Sequence, residues 1–131
     1  MRLSSLSVLL VLVSLPLSGC LSGNSYPDRY GQSYCSTLFL CFDQDDIEDM
    51  EGWNDVGECR DDVADSIRDS ADYDRWEEGD ASFDSDAAGA CIDEVLEFQG
   101  DSSCDGGSLD LFSYAEFLLD VSAEECGEVY D

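Results

Sequence analysis

The chain has 131 residues, of which 32 are Asp or Glu and 5 are Arg, with no Lys and no His, giving a formal charge of −27. Without histidine or lysine, Ser-His and Cys-His relays, imidazole metal sites and Schiff-base chemistry are closed to its own side chains. Such a charge makes DNA, RNA and anionic lipid poor partners and leaves a basic protein or surface as the complementary one.

The first element is a leader. Arg2 precedes an apolar run over residues 3–17, interrupted by small serines and Pro16. That order of charge and apolarity is an export signal, and the run is shorter than the roughly 20 residues of a bilayer span. It ends in Leu17-Ser18-Gly19-Cys20, which resembles the bacterial lipobox. The resemblance implies cleavage after Gly19 and a diacylglyceryl thioether on Cys20, with palmitate-type chains anchoring the protein in a lipid bilayer. An ordinary signal peptide ending near a cysteine is the alternative. Leu21, not Asp, follows the cysteine, and in Gram-negative lipoproteins that resembles the pattern sent to the outer membrane. The expected organisation is a signal peptide at 1–19, a lipidated tether at 20–29 and an acidic helical domain at 30–131.

Beyond the tether, Tyr34, Leu38 and Cys41 recur at helical spacing, so residues 29–42 are expected to be helical. Residues 43–55 are acidic, with room for one short helical turn. Val56, Cys59, Val63, Ile67 and Ala71 step by three and four and predict a helix over 55–71. Residues 73–83 read as a connection, with Trp76 packed back onto the helices. Asp84 or Ser85 can cap a third helix whose inner face is Ala88, Cys91, Val95 and Phe98. Residues 100–107 break that helix. Ser108 is the candidate cap of a fourth, with Leu111, Tyr114, Ala115 and Leu118 inward. Ser122-Ala123-Glu124-Glu125 matches a capping box ahead of Cys126. Without a long alternating stretch, the fold class is all-α: a small disulfide-stapled bundle of about four helices. Aromatic side chains make up 11% of the chain and are spread along it, which sets it apart from the disordered acidic sequences that lack such anchors.

Seven cysteines are an odd number for an exported protein; assigning Cys20 to lipid leaves six, which reads as three disulfides. Cys35 and Cys41 on one helix are separated by about 9 Å along its axis and cannot pair. The expected set is Cys41–Cys59 between the first two helices, Cys91–Cys104 closing the loop after the third, and Cys35–Cys126 joining the ends. Zinc is the competing use of clustered cysteines, but Cys-x2-Cys pairs and histidine are both missing.

The stretches YCSTLFLC, GECRDDV, AAGACIDEVLEF and SAEECGEVY resemble a group of cysteine-rich lipoproteins from myxobacteria. The resemblance implies a small helical exported domain behind a lipobox and no particular activity. The Asp and Glu content is higher than is usual in that group.

For bound ions, the segment DSSCDGGSLDLF places Asp101, Ser103 and Asp105 at the first, third and fifth positions of an EF-hand-like loop, with Gly106 at the sixth. Its twelfth position is Phe112 where the bidentate Glu belongs. Asp101, Ser103 and Asp105 are therefore weak calcium candidates in what reads as a solvated acidic turn. No other cofactor is expected. Trp53 and Trp76 read as core residues before binding anchors. The functional expectation is a non-catalytic lipoprotein of the bacterial cell envelope, a structural or interaction domain at a membrane surface. The alternative is a lipoprotein that binds calcium or a basic partner.

Overall fold

A computed structural model describes residues 21–101, 104, 109–120 and 124–131. The described chain is all-helical and stapled by three disulfides. Its helices are α1 (Tyr26–Cys41), α2 (Gln44–Glu51), α3 (Val56–Arg68), α4 (Ala71–Glu77), α5 (Ser85–Asp101), α6 (Leu111–Asp120) and α7 (Glu124–Gly127). The four longest, α1, α3, α5 and α6, are the four main segments expected from the periodicity; α2, α4 and α7 are short additions.

Local chemistry sets the boundaries. Asp43 caps α2 by accepting from the Asp45 amide, and Gly52 ends it at φ 80°, a left-handed conformation that glycine adopts without a Cβ penalty. Asp55 caps α3 by accepting from the Glu58 amide at 2.9 Å, while the Glu58 carboxylate accepts from the Asn54 amide at 2.8 Å. That reciprocal exchange is a variant of the capping box. Asp84 caps α5, accepting from the amides of Asp86 and Ala87 at 3.0 Å.

Four expectations about the elements are corrected. Residues 73–83 do not form a plain connection: Ser70 breaks the preceding helix and caps α4, accepting from the Tyr73 amide. The cap of α6 is Asp110, which accepts from the Ser113 amide at 3.0 Å; Ser108 lies outside the described residues, as does Ser122 of the expected capping box. On α6 Tyr114 and Phe117 are buried while Ala115 and Leu118 are exposed, and the side chain of Leu111 lies outside the described residues. The tether also ends sooner than expected. Residues 26–29 are the first turn of α1, with Tyr26 and Pro27 buried, and the Tyr130 hydroxyl donates to the Gly23 carbonyl at 2.7 Å.

Helices α1 and α3 run antiparallel and pack closely. Arg68 reaches Asp28 at 2.8 Å and Arg60 donates to Gln32 at 3.0 Å. Both contacts are at the surface, where ion pairs contribute little. The intimate contact is at Gly31, where an added Cβ would stand 2.9 Å from the Arg60 carbonyl oxygen. Gly31→Ala will therefore force the helices apart and lower stability by about 1–3 kcal/mol, the usual cost of overpacking. Urea denaturation followed by circular dichroism measures it; an unchanged midpoint would refute the close approach.

Helices α1 and α5 run side by side in the same direction, since Tyr26 lies against Cys91 and Phe83 while Thr37 donates to Gln99. Two adjoining apolar clusters result. The first gathers Tyr34, Leu38, Phe42, Ile47, Phe98 and Phe117; the second gathers Tyr26, Tyr73, Ala88, Cys91, Val129 and Tyr130. Phe117 is wholly buried and touches the rings of Tyr34, Phe42, Phe98 and Tyr114. Phe117→Ala is expected to cost about 3–5 kcal/mol. Phe112→Ala, five residues earlier on the same helix but 76% exposed, should change stability by less than about 0.5 kcal/mol. The pair, compared by urea denaturation, tests which face of α6 is inside.

All three expected disulfide pairings are replaced. The bonds are Cys35–Cys59, Cys41–Cys104 and Cys91–Cys126. The exclusion of Cys35–Cys41 holds, since both sit on α1 and each bonds a different segment. Cys41–Cys59 fails because the Gly31 contact sets the register: it brings Cys59 opposite Cys35, about 9 Å short of Cys41 along the helix. Cys91–Cys104 and Cys35–Cys126 fail because of where the chain returns. The Leu109 amide donates to the Cys41 carbonyl at 3.0 Å, so the segment holding Cys104 comes back beside the end of α1. The C-terminus instead lies along α5, with Ser82 and Asp131 exchanging backbone hydrogen bonds at 2.8 and 3.0 Å.

Candidate functional site

Cys20 lies outside the described residues, but its covalent neighbour Leu21 is inside them and packs against the second cluster. Of the calcium candidates, Asp101 is the last residue of α5, whereas Ser103 and Asp105 lie outside the described residues. Among the described residues no group of three or more Cys, Asp or Glu side chains is placed to hold a metal ion, and no helix is long and apolar enough to cross a membrane.

Both tryptophans are engaged within the fold. Trp53 packs on the first cluster and its indole N–H donates to Asp62 at 2.8 Å. Trp76 lies among Tyr73, Tyr130 and Gly23. Beside Trp53, the carboxylates of Glu51, Glu58 and Asp61 line a shallow cleft of about 370 Å³, where like charges gather without a cation among the neighbouring side chains.

A polar network that periodicity could not reveal joins α1, α2 and α6. The Tyr114 hydroxyl donates to the Glu51 carboxylate in a short hydrogen bond. Tyr34 lies beside them, its pKa pushed up from 10.0 to about 12 by burial first and by the Glu51 charge second. Burial likewise raises Tyr26, Tyr30, Tyr114 and Tyr130. These hydroxyls stay protonated at neutral pH, and those of Tyr26, Tyr114 and Tyr130 act as donors inside the fold. That is a structural use of tyrosine, and the only hint in the sequence is their number at core-facing positions.

An open groove of about 670 Å³ runs between α1 and α5. Leu21 stands at the N-terminal end, and Gly89, Ala90, Ile92 and Leu96 continue the apolar lining along α5. Arg29, Gln32, Asp86 and Asp93 bring polar groups to the same groove. Its volume falls within the roughly 300–1,000 Å³ of small-molecule sites. What it lacks is a convergent set of chemically active groups, because its titratable members are two surface carboxylates and one guanidinium.

No family model matches the chain, and neither a curated protein nor a solved structure matches it.

Proposed function

We propose that the chain is a lipid-anchored protein of the bacterial cell envelope, similar in plan to the myxobacterial cysteine-rich lipoproteins. The helical domain serves as a non-catalytic structural or interaction module at a membrane surface, a role that asks no chemistry of a chain without histidine or lysine. The observation that supports this reading is a matter of sulfur: three disulfides account for six of the seven cysteines, and the seventh is Cys20. A lipid thioether gives that residue a use in an oxidising compartment, where an unassigned thiol would otherwise require one. The acidic surface suits a cationic partner, by charge complementarity.

Intact mass of the protein isolated from an expressing bacterium tests the proposal, before and after reduction. The expected result is a chain beginning at Cys20, heavier than its residues by the acyl groups, that gains the mass of six hydrogen atoms on reduction of its three disulfides. A full-length product without lipid would overturn the anchor and the location together.

A further inference from the structure

The groove between α1 and α5 begins where the anchor begins. Leu21 lines its end, and the residue covalently before Leu21 is Cys20, about 3.8 Å away from Cα to Cα. From Ser85 to Leu96 the groove follows α5 for about 16 Å at 1.5 Å per residue. One bilayer leaflet, half of a hydrocarbon core of about 30 Å, is nearly the same length. Its floor is bare at Gly89, where an added Cβ would meet no heavy atom within 4 Å. A glycine inside a helix is less favourable than alanine, and here the missing side chain leaves the groove open. At the far end Leu96 is 46% exposed. Asp86 and Asp93 disfavour an anionic occupant such as a free fatty acid or an acidic phospholipid, but not the uncharged chains of a diacylglyceryl thioether.

We propose that this groove seats one acyl chain of Cys20 while the protein is out of the bilayer. The inference rests on the lipidation reading above. Burying methylenes is favourable in proportion to the area removed from water, so a chain lying along Leu21, Ile92 and Leu96 is sheltered without being held irreversibly.

The test uses the full protein, expressed in a bacterium fed a diazirine-bearing palmitate analogue, purified, freed of detergent, irradiated and digested. Intact mass first establishes whether Cys20 carries the analogue. With the lipid present, the proposal expects photo-crosslinks to the α5 peptide containing Gly89, Ile92 and Leu96. Gly89→Trp should abolish them by filling the groove, while Gly127→Trp, equally free of neighbours around its Cβ but in a different surface depression, should leave them unchanged. Native circular dichroism and six protected sulfurs show that each variant is folded. Crosslinks confined to other helices, crosslinks joining two copies, or an unchanged pattern in Gly89→Trp overturn the groove proposal and leave lipidation standing. Absence of acyl mass removes both.

Discussion

Reduction of the three disulfides at low ionic strength will unfold the domain at neutral pH, seen as loss of the helical circular dichroism signal while six thiols become titratable. The bonds span sequence separations of 24, 63 and 35 residues. Loop-closure entropy assigns about 3.5–4.5 kcal/mol to each such bridge, on the order of 10 kcal/mol together. Domains of this size have total stabilities of about 5–15 kcal/mol. The bonds also interleave, since the first loop overlaps the second and the second overlaps the third, so the three loops constrain the unfolded chain jointly. Against them stands the self-repulsion of a chain with formal charge −27. Salt should therefore rescue part of the reduced fold, because the screening length falls from about 30 Å at 0.01 M to about 3 Å at 1 M. Among single-bridge variants, Cys41→Ala with Cys104→Ala should lose most, having the longest loop. A reduced domain that keeps its signal and a cooperative melt in low salt would refute this account.

How far the sequence could be read follows from the same balance. Helices α1, α3 and α5 were legible because each carries apolar residues on one stripe against an acidic background, so the contrast is high. The expected face of α5, Ala88, Cys91, Val95 and Phe98, is buried throughout, with Ala87 beside it. In α6 the contrast fails. Leu111, Phe112, Tyr114, Phe117, Leu118 and Leu119 surround much of the helix, so spacing alone could not choose Phe117 for the core. Helix α4 escaped because seven residues hold too few apolar positions for a period; its signals are the Ser70 cap and the Tyr73 and Trp76 rings. The pairing of sulfurs was least legible. Partners are chosen by helix register and by the path of returning chain, and Gly31, which fixes the first register, looks like any helical glycine until α3 is laid against it. The likeness of Leu17 to Cys20 to a lipobox was legible in the sequence, but the groove that Leu21 lines exists only once α1 and α5 are side by side.

Alkali should open the fold through its tyrosines. Five of them have raised pKa values, with burial as the leading cause. The direction is fixed by linkage. In the unfolded chain a tyrosine ionises near pH 10, whereas Tyr34 in the fold holds its proton to about pH 12. Below pH 10 the hydroxyl is neutral in both states and its contribution is fully present. Between 10 and 12 the unfolded chain releases a proton that the fold retains, so stability falls as pH rises through that window. At about 1.4 kcal/mol per pH unit, Tyr34 alone accounts for roughly 3 kcal/mol. The other four act in the same sense. Ionisation would also remove the donors from three hydrogen bonds, Tyr26 to the Cys91 sulfur, Tyr130 to the Gly23 carbonyl and Tyr114 to Glu51. Tyrosinate absorbance and circular dichroism should therefore change together, in one steep step above pH 10, with Tyr114→Phe relieving part of the effect. Five tyrosines titrating gradually near pH 10 in a chain that stays helical would mean that these rings are not in the core.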